Sequence, residues 1–174
     1  MLDLRLSSAM SYTFHRIFCG TPGDLEAERD AFYEVMAEFN EHEAMPKGIL
    51  FVSLSIVPLV VNMTVFQGTI DENIRSCRHY VQVLADTWGP PQRSFKRSFD
   101  LARQCAADPA MPMREVALLC KEMPSDHPVE SGVLEARKEA EQGRLRSLTF
   151  SDPGSFRQQL RGLLAAWLAD AISG

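Results

Sequence analysis

Apolar residues recur along the chain in two spacings, and together they predict five strands that alternate with five helices. Short runs rich in β-branched and aromatic residues indicate strands, whereas apolar residues at every third or fourth position indicate amphipathic helices. The predicted strands span residues 12–20, 49–59, 79–89, 113–123 and 144–152. The predicted helices span residues 24–45, a stretch that begins at 69, 94–108, 128–143 and 156–172.

This alternation predicts a single doubly wound α/β domain, in which a five-stranded, mostly parallel sheet lies between two layers of helices. The near-continuous apolar run at 49–59 is typical of a strand that is buried on both faces of such a sheet. We place the domain at residues 12–174. Residues 1–11 mix Asp3 and Arg5 into a short apolar stretch, so we expect a disordered or frayed start rather than a signal peptide.

The first predicted helix has the clearest start of the five. Thr21 can cap its N-terminus, Pro22 suits the first helical position, and Asp24 lies three residues after the threonine, as in a capping box. Asp24 is the alternative cap.

The composition is that of an ordinary globular domain, and it narrows the classes of function. The chain has 174 residues, is 45% hydrophobic and 24% charged, and carries a formal net charge of −5. That charge disfavours nucleic acid and anionic membranes as partners. The most apolar stretch, 52–66, is shorter than the ~20 residues of a spanning helix and contains Pro58. We therefore expect a cytoplasmic protein with neither a membrane nor a nucleic-acid partner.

The residue types that usually hold metals and nucleotides are scattered. The four cysteines form no CxxC pair and lie in apolar surroundings, so we expect buried, reduced thiols at Cys19, Cys77, Cys105 and Cys120. No HExxH motif or Cys/His cluster indicates a metal site. No GxxxxGK[ST] or GxGxxG motif follows a strand. We therefore expect no metal and no cofactor, while a nucleotide or NAD stays open as a ligand.

Ligands of open α/β sheets bind beyond the carboxyl ends of the strands, which nominates the loop after the first predicted strand. This loop contains Thr21, Gly23 and Asp24, and Arg29 lies one turn inside the following helix. The N-terminus of a helix suits a phosphate or carboxylate, although Asp24 would occupy or repel that position. The alternative for Arg29 is a solvated surface residue.

The same rule nominates the end of the third predicted strand, where Asp86, Thr87 and Trp88 follow one another. A polar pair and an indole at this position predict a wall that stacks on a ring and hydrogen-bonds to it. The alternative is that Trp88 simply covers the edge of the sheet.

Three segments resemble a known family: TPGDLEAERD at 21–30, IDENIRSCRHYVQVLADTWG at 70–89 and LTFSDPGSFRQQLRGLLAAWL at 148–168. They are similar to a domain-of-unknown-function family related to TIR and SEFIR domains, and the resemblance spans nearly the whole chain. It implies a flavodoxin-like, TIR-like three-layer sandwich, often found ahead of NTPase modules. The positions that match the family pattern are Asp24, Leu25, Glu28, Arg29, Gly89, Ser151 and Asp152.

The resemblance also implies a signalling module of a bacterial stress or conflict response. Some related TIR domains cleave the N-glycosidic bond of NAD with a glutamate on the helix after the third strand. Here that helix opens as SFKRSFD at 94–100 and holds no such glutamate, and the Trp-Glu pair that often follows the second strand of the family is absent. The carboxylates left for such a hydrolysis are Asp86, Asp100 and Glu122.

We therefore predict a non-catalytic module that associates with itself or with another signalling protein. A surface on the third helix would combine Phe95 and Phe99 with basic side chains, unless both phenylalanines are core residues. Those basic side chains are Arg93, Lys96, Arg97 and Arg103. The alternative is an NAD-type N-glycosidic hydrolase with a pocket at the carboxyl ends of the first and third strands. DNA binding by the basic helix ranks last.

Overall fold

The computed structural model describes residues 11–55, 63–91 and 95–173. The expected frayed start lies outside these residues except for Ser11, as do positions 56–59 of the second predicted strand and the side chain of Arg93. The strands are β1 Thr13–Gly20, β2 Ile49–Ser55, β3 His79–Leu84, β4 Glu115–Lys121 and β5 Arg146–Phe150. The helices are α1 Glu26–Phe39, α2 Met63–Arg75, α3 Phe95–Ala107, α4 Ser131–Glu141 and α5 Pro153–Ser173.

The five strands form one parallel sheet in the order β2-β1-β3-β4-β5. This is the strand order of the flavodoxin-like doubly wound fold, so the predicted fold class is confirmed. The chain moves outward from β1 to β2 and then crosses over to β3. The order therefore reverses between β1 and β3, and the carboxyl ends of these two strands mark the position where ligands of such folds bind.

The sheet separates two hydrophobic cores. One core packs under α1 and α5 and includes Phe32 and Trp167, whereas the other packs under α2, α3 and α4. Phe95 and Phe99 belong to the second core and are only 5% and 1% exposed. They therefore offer no apolar surface to a partner. Every residue of β3 is buried, as expected for the strand at the centre of the sheet.

Two predictions about the second βα unit are wrong. The strand predicted to be buried on both faces lies at the edge of the sheet, where β2 pairs with β1 and most of its residues are only half-buried. Part of its open edge is satisfied by Asn40, the residue after α1, which exchanges two hydrogen bonds of 2.8 and 2.9 Å with the backbone of Phe51. The helix predicted to begin at residue 69 begins at Met63.

Candidate functional site

The loop after β1 does not cap α1 as predicted. The hydroxyl of Thr21 is buried and lies 3.2 Å from the sulfur of Cys19. The amide of Leu25 donates to the carbonyl of Pro22 at 3.0 Å, which closes a turn and leaves Asp24 exposed. The helix begins at Glu26 after this turn, without a side-chain cap. The capping-box prediction is therefore wrong for both Thr21 and Asp24, because the turn separates them from the first helical residues.

The first turn of α1 contains an acid, Glu28, that is bonded to the last residue of β4. The sequence did not single this acid out as a site residue. The carboxylate of Glu28 is 2% exposed and accepts a bond from the ammonium group of Lys121 at 2.7 Å. Arg29 pairs with Glu26 at 3.3 Å instead of pointing free into the loop. Nothing in the local sequence distinguishes the buried Glu28 from the exposed Glu26, because the difference arises only when β4 packs beside the helix.

The loops after β3 and β4 are bonded to one another. Nε2 of His127 lies 2.6 Å from Oδ2 of Asp86, and this hydrogen bond lowers the pKa of Asp86 below its ordinary value. One carboxylate oxygen of Glu130 accepts bonds of 3.0 Å from the hydroxyl of Thr87 and from the amide of Trp88. The polar pair after β3 therefore faces a second polar loop. The sequence did not indicate His127 or Glu130 as site residues, and it placed Glu130 in a helix predicted from 128, whereas α4 begins at Ser131.

The side chain of Trp88 is buried and 4% exposed. Its ring lies 5.2 Å from that of Phe99, and the ammonium group of Lys96 lies 5.6 Å from its centroid. Phe99 and Lys96 therefore occupy the space beside the indole in which the ring of a ligand would have to stack. The structure therefore matches the alternative in which Trp88 covers the edge of the sheet.

The loops after β1 and β3 meet at Gly89. This residue has a φ of +79°, and a Cβ added to it would lie 3.4 Å from Cβ of Pro22 and 3.5 Å from the ring of Phe95. A glycine is needed there because other residues rarely adopt this backbone conformation. The structure thus brings the two predicted loops together, in direct contact at the position where strand order reverses.

The three candidate catalytic carboxylates are not gathered at one site. Asp100 lies on α3, pairs with Lys96 at 3.0 Å, and lines a cavity of about 640 Å³ beside Trp88 and Glu130. Asp86 and Glu122 do not line this cavity. Glu122 is exposed, and its amide donates to the carbonyl of Phe150 at 2.8 Å.

The basic side chains of α3 are paired with acids, which corrects the surface predicted there. Arg97 makes two bonds of 2.9 and 2.6 Å to Asp71, which bridge α3 to α2. Arg103 pairs with Glu139 of α4 at 2.7 Å. Arg97 and Arg103, which belong to the basic run in the sequence, therefore join α3 to its neighbouring helices, whereas Lys96 pairs with Asp100 of α3 itself.

All four cysteines are buried, as predicted. Burial raises the pKa of Cys19 and of Cys77 to about 12, so neither thiol forms a thiolate nucleophile at neutral pH. Within the described ranges, no three His, Cys, Asp or Glu side chains are grouped to hold a metal ion. None of the helices in this part of the chain is long and apolar enough to cross a membrane.

No protein family model matches the sequence, and no curated protein does. One solved structure that the chain matches is general stress protein 14 of Treponema denticola in complex with FMN. The sequences are 14% identical, the match covers 92% of this chain and 99% of that one, and the TM-score is 0.40.

The prediction that no cofactor is involved is corrected by this comparison, because the matched protein is described in complex with FMN. FMN is the ligand of that protein. At this identity and TM-score it is not transferred to the present chain.

Proposed function

We propose that this domain is a TIR-like signalling or assembly module that acts by binding other protein molecules, in the first place copies of itself. Such a module needs surfaces of complementary shape and charge rather than an acid, a base and a nucleophile at one site. The resemblance to TIR-related domains and the flavodoxin-like fold are compatible with this role, and a bacterial stress or conflict response is the setting that the resemblance favours.

The observation that supports this proposal is the state of the polar groups at the carboxyl edge of the sheet. Asp86 is bonded to His127, and Thr87 is bonded to Glu130. Glu28 is bonded to Lys121 in the same region. These groups hold the loops in place by bonding to each other, and a ligand would have to displace those bonds before it could bind there. A role in association leaves them undisturbed.

Sedimentation velocity over a wide range of protein concentration tests the proposal. A module that associates with itself should sediment faster as its concentration rises, because monomers are converted to larger species by mass action. A strictly monomeric profile up to the highest attainable concentration would contradict self-association.

A specific observation favours the second candidate, an NAD-type N-glycosidic hydrolase. Asp100 and Glu130 both line the 640 Å³ cavity beside Trp88, and a carboxylate near the ribose is what such a hydrolysis requires. Incubation of the purified protein with NAD should then release nicotinamide, and Asp100→Asn should abolish the release. Absence of turnover, together with no thermal shift on addition of nucleotides, would remove this candidate.

A further inference from the structure

A row of three arginines crosses the amino-terminal edge of the sheet, where Arg16 lies on β1 and Arg78 and Arg114 directly precede β3 and β4. The amide of Arg78 donates to the carbonyl of Arg16 at 2.9 Å, and the amide of Arg114 donates to the carbonyl of Arg78 at 2.7 Å. The three residues are therefore direct neighbours across the ladder, where adjacent strands lie about 4.8 Å apart. Like charges directly opposite each other destabilise a sheet, so this arrangement calls for a compensating negative charge.

Two acids, Glu115 and Asp170, line a cavity with Arg78 and Arg114, but neither forms an ion pair with the row, and Glu115 pairs with Arg146 instead. Arg16 donates to the hydroxyl of Ser76, and Arg114 donates to the carbonyl of Met111, but neither these two nor Arg78 has an ion-pair partner among the described residues. Six other arginines do pair with carboxylates: Arg29, Arg97, Arg103, Arg146, Arg157 and Arg161. Arg75, Arg137 and Arg144 likewise have no ion-pair partner among the described residues, so the row is set apart by the adjacency of its three residues and not by the missing pairs.

An exposed aromatic ring lies beside the row. Phe14 is 64% exposed and lines a groove of about 290 Å³ together with Arg16, Arg78 and Arg114. Of the large hydrophobic residues that the structure describes as exposed, Phe14 is the most accessible. An apolar centre within a rim of arginines is the composition of a protein–protein contact, where aromatic residues and arginine contribute most of the binding energy. We call these four residues the arginine–phenylalanine patch.

A surface of opposite charge, complementary to the arginine–phenylalanine patch, lies on α1. This helix carries five acidic residues and one basic residue, which makes it strongly negative. Its Tyr33 is 38% exposed and has the exposed acids Asp30 and Glu34 beside it. Asp30 has no ion-pair partner among the described residues, whereas Glu34 pairs with Arg157. We call Asp30, Tyr33 and Glu34 the Tyr33 face.

The two surfaces lie on opposite sides of the sheet. Phe14 and Arg16 share their side of β1 with Phe18, which belongs to the core under α2, α3 and α4, because alternate residues of a strand face the same way. The helix α1 packs on the other core. A molecule therefore cannot bring its own patch onto its own Tyr33 face, and a contact between them must join two molecules.

We infer that the arginine–phenylalanine patch of one molecule docks on the Tyr33 face of a second copy, so that the proposed self-association is a head-to-tail contact. The inference rests on the proposed function. Charge complementarity supports it, since the chain as a whole is acidic, with a net charge of −5, while this patch is basic. Because the contact uses two different surfaces, each copy keeps one of them free and the assembly grows beyond a dimer.

Two variants test the contact by sedimentation velocity on the full chain. The patch variant combines Arg16→Glu with Arg114→Glu, and the face variant combines Asp30→Lys with Tyr33→Ala. Lys138→Glu and Glu135→Lys are matched controls, because both reverse an exposed charge on α4, away from both surfaces. Circular dichroism and thermal unfolding confirm that each variant is folded. If a reversal lowers the melting temperature, Arg16→Gln with Arg114→Gln replaces it.

We expect the wild-type protein and both controls to form species larger than a dimer as concentration rises. Each variant alone should associate about tenfold more weakly or worse. An equimolar mixture of the two variants should form a dimer that does not grow, because one molecule supplies an intact patch and the other an intact face. Raising the salt from about 0.1 M to 1 M should weaken the wild-type contact, since its charges are then screened.

The possible failures are distinguishable. A monomeric wild-type protein overturns the proposed function together with this inference. A wild-type protein that associates while both variants do so equally well overturns only the inference. Loss of association in only one of the two variants also overturns the inference alone, and so does a mixture of the two variants that forms no dimer. In either case the patch and the face are not partners of each other.

Discussion

The imidazole of His79 stacks on the indole of Trp167, with ring centroids 4.1 Å apart and ring planes at 14°. Both side chains are almost fully buried, at 4% and 1% exposure. The indole N–H donates to the carboxylate of Glu115, which also pairs with Arg146. Nδ1 of His79 has no hydrogen-bond partner within the described residues. The ring of the histidine is therefore packed at the base of β3 in surroundings that suit its neutral form.

This packing predicts that the protein loses stability in mildly acidic solution. Burial lowers the pKa of His79 to about 3, whereas the unfolded chain takes up a proton near the ordinary value of 6.5. As the pH falls below 6.5, the unfolded state binds the proton first, so the free energy of unfolding decreases until the pH approaches 3. Between pH 7 and pH 5 this histidine alone should remove about 2 kcal/mol.

Urea unfolding at a series of pH values measures this loss. His79→Phe retains a ring against Trp167 and cannot take up a proton. Its free energy of unfolding should therefore fall about 2 kcal/mol less than that of the wild type over the same pH interval. Equal slopes for the two proteins would show that His79 is protonated in the folded state as readily as in the unfolded one.

A second prediction concerns the last residue of β1. A Cβ at Gly20 would lie 2.5 Å from Oε1 of Gln82 and 2.6 Å from the hydroxyl of Tyr80, atoms that are hydrogen-bonded to each other in the core. Nε2 of the Gln82 side chain also donates to the carbonyl of Gly20 at 3.0 Å. Gly20→Ala should therefore break this buried network and destabilise the protein by about 2–4 kcal/mol.

Gly23→Ala is the control for this change, because it lies in the same loop region but its added Cβ would meet nothing within 4 Å. It should alter the free energy of unfolding by less than ~0.5 kcal/mol. If Gly20→Ala were equally harmless in urea unfolding, the close packing around Gly20 would not be a requirement of the fold.

Most of the fold could be predicted from the sequence, because the spacing of apolar residues that marks strands and helices repeats within short segments. The strand and helix spacing predicted the five βα units, but the strand that we expected to be buried on both faces was the second, whereas the fully buried strand is β3. The edge position of β2 was missed, since apolar residues alone do not show whether a strand has a neighbour on both sides. The start of α2 was missed as well, because Thr69, which we took as the cap, lies inside the helix that begins at Met63.

The site was predicted less well, because its bonds join residues far apart in the chain. The sequence nominated Asp86 and Thr87 from their position at the end of a strand, but their partners His127 and Glu130 lie more than forty residues away. The basic run on α3 was misinterpreted for the same reason. Lys96 pairs within α3 with Asp100, but the partners of Arg97 and Arg103 are Asp71 of α2 and Glu139 of α4, which no spacing within α3 shows.

The buried ion pair of Glu28 and Lys121 leads to an asymmetric prediction. Lys121→Met leaves the carboxylate of Glu28, which is 2% exposed, without a counter-charge and should destabilise the protein by about 3 kcal/mol. Glu28→Gln leaves the ammonium group of Lys121, which is 31% exposed and can turn toward water, so the expected loss is about 1 kcal/mol.

Urea unfolding of the two single variants and of the double variant measures this asymmetry. The double variant should be more stable than Lys121→Met, because it no longer contains an unpaired buried charge. Equal losses for the two single variants would mean that the carboxylate of Glu28 finds water or another partner after the lysine is removed.

The last prediction concerns the bond between the loops after β3 and β4. Glu130→Ala removes the acceptor of the Thr87 hydroxyl and of the Trp88 amide, and the amide is partly buried. Each lost bond to a charged acceptor weakens the folded state, so the expected loss is about 2 kcal/mol in urea unfolding. Glu135→Ala, an exposed position on α4, should change the same quantity by less than ~0.5 kcal/mol.

Hydrogen exchange separates this effect from a general loss of stability. The amide of Trp88 should exchange faster in Glu130→Ala than in the wild type, because its acceptor is gone, while amides at the centre of β3 change only as much as global stability does. If a ligand instead of Glu130 normally supplied the acceptor, the Trp88 amide would already exchange rapidly in the wild-type protein. Slow exchange there would mean that the carboxyl edge is closed by its own side chains in solution, as expected if the proposed association leaves these bonds undisturbed.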